Sequence, residues 1–286
     1  MNCVPSGRKG LTGLSSRALL TTDTVAVWDV ACSGSCRDKN GEECAQQTHL
    51  VFPYRGVYVR HVGQTATVAD ANQVIIFNDD EPYRVSHPLD GGDSSLSVRI
   101  RCADLLELVP VGYLVKQHGV TLNRPRFRVD GATQALMARL RHCLSGGVMD
   151  TLEAEILTLA LVGRALGERT AHAVASSARR QILVDRAKLI LSSDLSRRWT
   201  LAQIARAVGV SPVYLTQVFQ QVEGMPLYRY QLQLRLARGL DWLGEQRDLT
   251  TLALDLGFCS YSHFSSAFKQ AYGQTPLAFQ RSARIR

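Results

Sequence analysis

No stretch of about 18 consecutive apolar residues occurs in this chain, so no membrane-spanning helix is expected. Cysteine is sparse and odd in number, seven in 286 residues, too few and too unevenly spaced for a disulfide framework. Reduced thiols in a cytoplasmic chain are the expectation. Residues 1–22 lack the uninterrupted apolar core of a secretion signal: Arg8, Lys9 and Arg17 lie among Gly and Ser, and the segment reads as a disordered leader. None of the cysteines sits in a Pro-Cys-His-Arg setting, which removes the usual mark of an alkyl-transfer enzyme, and no paired His-x-His with a following Glu marks a metal-binding barrel.

What is present is a charge imbalance confined to one half. From Ser176 to Arg286 there are 15 Lys and Arg against 7 Asp and Glu, which is +8, the formal charge of the whole chain. The remainder holds 18 of each and is neutral. A basic half beside a neutral one is the footprint of a polyanion-binding module joined to something else.

The basic half contains one unit twice. Ile204-Ala-Arg-Ala-Val-Gly209-Val-Ser-Pro runs into a second apolar pattern ending at Phe219, and Leu252-Ala-Leu-Asp-Leu-Gly257-Phe-Cys-Ser runs into one ending at Phe268. Each copy reads as support helix, glycine turn, serine N-cap and second amphipathic helix, the layout of a helix-turn-helix whose second helix enters the major groove. Thr200 with Gln203 forms a capping-box pattern, Gly209 suits a left-handed helix exit, and Ser211 followed by Pro212 is a helix start. Leu215, Val218 and Phe219 are expected inside, with Val213, Thr216, Gln217 and Gln220 outside. In the second copy Phe264, Ala267 and Phe268 are expected inside, with Ser262, His263, Ser265, Ser266 and Lys269 turned toward DNA. Met225–Gly244 reads as one long helix joining the copies.

The segment from Thr200 to Arg281 resembles the AraC/XylS transcriptional regulators. The resemblance is carried by Leu201-Ala-Gln-Ile-Ala205, Gly209-Val-Ser-Pro-Val-Tyr-Leu215, Phe219, Gly224, Tyr230, Arg235-Leu-Ala-Arg238, Leu256-Gly-Phe258, Ser262-His-Phe264, Ala267-Phe-Lys269, Tyr272-Gly273 and Thr275-Pro-Leu-Ala-Phe279. It implies a seven-helix, two-headed DNA-binding domain over 178–286. It also implies base contacts from Val213, Thr216, Gln217, Ser262, His263, Ser265 and Ser266, and phosphate contacts at Ser211, Arg235, Ser260 and Lys269. The chain departs from the pattern near Ser266, where an Arg or Lys is usual.

Residues 23–130 are rich in short alternating runs, among them Gly56–Val62, Gln73–Phe77 and Ser95–Ile100, separated by turn residues such as Asn78-Asp-Asp-Glu-Pro82. They predict a small antiparallel barrel or jelly roll, which the resemblance makes a cupin-like sensing barrel. The fold class is therefore α+β. His61, Phe77, Tyr83, Arg84 and His87 are candidates to line an effector pocket. Helices are predicted at Gly131–Ser145 and Thr151–Leu166 within a 131–177 linker region. The resemblance gives them a role in a homodimer and favours an activator that contacts RNA polymerase. Cys32, Cys36 and Cys44, with His49 following, form a candidate zinc or thiol-redox cluster whose spacing fits no standard zinc template.

The leading expectation is an effector-responsive regulator bound to double-stranded DNA, with no catalytic residues and no certain cofactor beyond a small-molecule effector or zinc. A zinc- or redox-responsive regulator and a DNA-targeted alkyl-transfer enzyme are the alternatives.

Overall fold

The computed structural model describes residues 13–34, 39–115, 120–167, 177–245 and 248–283. The chain divides into two compact units, 1–171 (with 282–286) and 172–281.

The first unit is built on strands β1 (Leu14–Thr21), β2 (Val25–Cys32), β3 (Glu43–Cys44), β4 (His49–Gly56), β5 (Tyr58–Val62), β6 (Thr65–Ala69), β7 (Gln73–Phe77), β8 (Pro82–Ser86), β9 (Asp93–Ile100) and β10 (Arg126–Arg128). They pair antiparallel as two sheets, β1-β2-β9-β4-β7-β10 and β3-β8-β5-β6, so the expected barrel is realised here as two sheets with distinct edges. Strand alternation explains the layering. Leu50 and Phe52 of β4 and Val74 and Ile76 of β7 point into one core, which they share with Leu96, Val98 and Ile100 of β9. Val51, Ile75 and Phe77, one residue out of phase, point into a second core with Tyr58, Tyr83 and Val85 of the smaller sheet. A strand covered on both faces has no polar alternation, and all five residues of β7 are buried.

The first core is closed by helices α1 (Cys102–Leu108), α2 (Gly131–Gly146) and α3 (Thr151–Leu166), through Leu105, Met137, Leu140, Leu161 and Val162. Both α2 and α3 begin on an aspartate cap: Asp130 accepts from the Thr133 amide and Asp150 from the Glu153 amide.

The leader expected over residues 1–22 is corrected from residue 14 onward. Residues 14–21 form an edge strand laid along β2 and joined to it by a turn in which the Thr24 and Val25 amides donate to Thr22 Oγ1. Its side chains are mostly exposed, so the sequence carries no apolar stripe to announce it. Residues 168–176 of the expected 131–177 linker region lie outside the described residues.

The second unit is helical: α4 (Ala178–Ser193), α5 (Leu201–Val208), α6 (Pro212–Glu223), α7 (Leu227–Trp242), α8 (Leu249–Asp255), α9 (Tyr261–Tyr272) and α10 (Pro276–Ala283). Ile204, Ala205, Leu215, Val218 and Phe219 are buried around the first helix pair, with Phe219 packed edge-on to Tyr230 of α7. The second pair closes on an aromatic chain running Phe258, Phe264, Phe268, with centroids 5.2 and 5.5 Å apart. Gly239 lets α7 lie against this chain. A Cβ there would fall 3.1 Å from the Phe264 ring and 3.2 Å from Leu256.

Candidate nucleic-acid interface

The two second helices of the repeats, α6 and α9, are seated alike. Thr200 and Gln203 close a reciprocal capping box on α5. Gly209 leaves that helix at φ +76° with open space where a Cβ would stand. Ser211 then caps α6, its Oγ accepting from the Tyr214 amide at 3.2 Å, with Pro212 in the first turn. In the second copy Gly257 turns at φ +80° and Ser260 caps α9, accepting from the His263 amide at 3.1 Å. The difference is room. A Cβ on Gly257 would lie 2.3 Å from the Ser196 carbonyl oxygen, so this turn is pressed against the α4–α5 loop.

With one face of each helix committed to the core, the opposite face is open. On α6 Val213 is 66% exposed, and Thr216, Gln217 and Gln220 are exposed too. Thr216 is turned back on its own helix, its hydroxyl donating to the Val213 carbonyl at 2.7 Å. Gln217 and Gln220 line a groove of about 520 Å³ together with Trp199, Leu201, Tyr228 and Gln231. On α9 Ser262, His263, Ser266 and Lys269 are exposed, while Ser265 is half-buried. His263 is engaged locally: its Nδ1 lies 3.1 Å from Cys259 Sγ and its ring packs edge-on to Phe258. Helix N-termini favour phosphate.

Arg235, expected at a phosphate, is engaged within the unit. Arg235 is half-buried, and its guanidinium donates to the carbonyls of Leu195 at 2.6 Å and Arg197 at 2.9 Å, tying α7 to the loop before α5. Burial and neighbouring Arg198 lower its pKa. The sequence marked it as a cation on an amphipathic helix. It did not show that carbonyls some 40 positions away would claim its donors. Conversely, Trp199 and Tyr228 border the groove beside Gln217 and were not among the expected contacts. Tyr228 is 63% exposed.

In the first unit the five residues expected around an effector pocket do not share one cavity. Phe77 and Tyr83 pack edge-on with centroids 4.7 Å apart inside the second core. Arg84, one residue along β8 from Tyr83, faces out and pairs with Glu42 at 3.6 Å. His61 sits opposite Arg84 in the β5–β8 ladder and bonds Ser86 Oγ at 2.9 Å. Period-two alternation separates them. His87 is buried against Asp93, 2.6 Å away.

The expected cysteine cluster also divides. Cys36 lies outside the described residues. Cys44 is exposed at the end of β3, and His49 stacks on Phe77 at 5.1 Å and bonds the Gln47 carbonyl. Cys32 is buried at the end of β2, beside His87 and Asp93 instead.

A helix-turn-helix domain family matches residues 204–282. Among curated relatives, the transcriptional activator RhaR of Klebsiella pneumoniae is 27% identical over 167 residues, 56% of this chain and 59% of its own length. The regulator ArgR of Pseudomonas aeruginosa is 33% identical over 91 residues, and the regulator GlxA of Rhizobium meliloti is 37% identical over 94. Each of these alignments covers 32% of this chain and 28% of the relative. The chain thus spans less than two thirds of the length of these relatives. Among solved structures, an AraC-type DNA-binding domain from Chromobacterium violaceum aligns with 38% of this chain and all of that chain at 28% identity and a TM-score of 0.36. ToxT from Vibrio cholerae aligns with 92% of this chain and 99% of that chain at 12% identity and a TM-score of 0.37.

Proposed function

We propose that this chain is a sequence-specific transcriptional regulator of the AraC type that reads double-stranded DNA with α6 and α9, a reading supported by the helix-turn-helix match over residues 204–282. One observation carries the reading. Two capped helices in a unit with a surplus of positive charge each bury one face and expose the other, and the exposed faces carry Val213, Thr216 and Gln217 in one and Ser262 and Ser266 in the other. Gln217 has the amide needed to bond an adenine edge, Val213 suits a thymine methyl, and the serine hydroxyls accept or donate to either partner. Lys269, Ser211, Ser260 and the first-turn amides of both helices supply phosphate contacts, which set register and affinity more than specificity. His263 and Ser265 remain in the base-reading set as flanking contacts.

The first unit is proposed as a cupin-like sensing domain whose occupancy shifts the population of DNA-competent states, with activation through RNA polymerase as the outcome. Leu152 and Ile156 of α3, 66% and 56% exposed and one helical turn apart, support a homodimer contact there. No helix of the described residues is long and apolar enough to cross a membrane. A cytoplasmic regulator with no enzymatic activity fits these features.

The test is selection of binding sites by the purified full chain from a random duplex pool, followed by footprinting at several salt concentrations. An enriched motif with two half-sites is expected. Recovery of no motif, with binding that depends only on salt, would reduce the protein to a non-specific polyanion binder.

A further inference from the structure

Cys32 is the last residue of β2 and Asp93 the first of β9, and the two are direct partners across the β2–β9 ladder. Directly paired residues project to the same face of the sheet. His87 arrives from the other sheet, just past the end of β8. Its Nε2 is 2.6 Å from Asp93 Oδ1, and the Cys32 sulfur, one imidazole nitrogen and one carboxylate oxygen all lie within 4.8 Å of one another. The three residues are 4%, 1% and 2% exposed.

The surroundings hold these groups in place. Ser95 Oγ donates to Asp93 Oδ2 at 3.2 Å, leaving Oδ1 on the inner side. The Gly34 amide bonds the Cys32 sulfur. Gly92, at φ +66°, lets the β8–β9 connection pass so close to Cys32 that a Cβ there would fall 1.9 Å from the Cys32 carbonyl oxygen. His87 Nδ1 is moreover buried without a hydrogen bond.

We propose that Cys32, His87 and Asp93 form a binding site for a divalent transition-metal ion of the zinc class, held by one sulfur, one nitrogen and one oxygen. Thiolate, imidazole and carboxylate are the donors that zinc takes in tetrahedral sites. Donors sharing one such ion stand roughly 3.3 to 3.8 Å apart, as bond lengths of 2.0 to 2.3 Å require. Loading the site therefore opens the His87–Asp93 contact by about 1 Å and draws the longer separations in by about as much, movements within reach of side-chain torsions. Three protein ligands leave the fourth position open, the arrangement of sites that exchange a ligand rather than of closed structural sites. Because Cys32 and Asp93 belong to one sheet and His87 follows a strand of the other, the ion would tie the two sheets together at this end.

The experiment is titration of the reduced full-length protein with cobalt(II), read by near-ultraviolet thiolate-to-cobalt charge transfer and visible ligand-field bands, with zinc then added in competition. One equivalent is expected to saturate the signal and zinc to bleach it. Cys32→Ser is expected to abolish the charge-transfer band, and Asp93→Asn to weaken binding by tenfold or more. Cys44→Ser and Cys259→Ser are expected to leave both unchanged. Since changes at buried His87 or Asp93 can also unfold the sheet edge, X-ray absorption on the zinc-loaded wild type provides an independent reading, with one sulfur near 2.3 Å and lighter donors near 2.0 Å expected. Absence of stoichiometric cobalt binding, a band that survives Cys32→Ser or is lost in Cys44→Ser, or a zinc shell without sulfur would each overturn the assignment.

Discussion

Lys188 is fully buried in α4, its ammonium 2.5 Å from the carboxylate of Glu223, the last residue of α6, and 3.7 Å from Asp185. It also stands 5.3 Å above the Tyr230 ring. This pair fastens the end of α6 to the rest of the unit. Lys188→Met nearly conserves volume but deprives a 4%-exposed carboxylate of its cation. Breaking a buried pair in this way costs about 3–5 kcal/mol, whereas replacing both charges by apolar side chains is commonly neutral or stabilising. Lys188→Met is therefore expected to lower the melting temperature of the second unit by more than about 10 °C, at roughly 4–8 °C per kcal/mol for a domain of this size. Lys188→Met with Glu223→Leu should recover most of the loss. In a Trp28→Phe background the remaining tryptophans, Trp199 and Trp242, belong to the second unit, so fluorescence-detected melting reports on it alone. Duplex binding should follow the same order, weakened at 37 °C in the single variant and restored in the double. A single variant costing less than about 1 kcal/mol, or a double variant no more stable than the single, would show that the Lys188–Glu223 pair does not hold α6 in place.

The two glycine turns separate backbone strain from steric exclusion. Gly209→Ala should cost about 1–2 kcal/mol, the ordinary penalty of a left-handed alanine, because nothing lies within 4 Å of the new Cβ. Gly257→Ala adds a clash with the Ser196 carbonyl and should cost clearly more; equal losses in urea unfolding would show that the turn yields freely. At Asp130, burial pushes the carboxyl up, but donors from Arg164 at 2.6 Å and from Thr133 outweigh it and hold the group below its usual range. A depressed carboxylate pKa stabilises above the unfolded value and is lost as pH falls through the folded one. The first unit should therefore lose stability below about pH 4, and Asp130→Asn should flatten that acid limb in Trp28-detected melting; an unchanged limb would remove Asp130 from the account. On DNA, Gln217→Ala should cost roughly 1–3 kcal/mol and relax selection at one base position. Lys269→Gln should weaken all duplexes alike and reduce the salt slope by about one. Competition binding across salt concentrations distinguishes the two, and a sequence-dependent effect of Lys269→Gln would count against its phosphate role.

What the sequence made legible was local. The Thr200–Gln203 box, the Ser211-Pro212 start, the Ser260 cap and the α3 boundaries are fixed by groups within a few residues of one another, and they stand as the spacing predicted. What it hid was supplied by partners distant in the chain. β1 is a strand because β2 offers a ladder, not because its own side chains alternate toward a core. Arg235 is a loop fastener because three carbonyls between 195 and 197 meet it. Cys32 sat beside Cys36 and Cys44 in the sequence, yet strand register sets it against Asp93, 61 positions on. Register is a property of two segments together, and a single segment's composition does not encode it.

The two heads share a backbone plan but not a chemistry, and the difference has a physical consequence. α6 offers a branched apolar side chain and a primary amide on its open face, groups that distinguish a thymine methyl and an adenine edge from their competitors. α9 offers serine hydroxyls, which donate or accept according to what they meet, and a histidine already engaged with Cys259. A hydroxyl that adapts discriminates little. If both helices enter the major groove, sequence information should concentrate in the half-site under α6, while α9, with Lys269 and its first-turn amides, contributes mainly affinity. The second helix is also the more firmly seated, on an aromatic chain and behind a turn that admits only glycine. A head that holds the backbone needs fixed placement more than varied side chains, and the pairing of a rigid, weakly discriminating α9 with an α6 rich in distinguishing groups follows from that division.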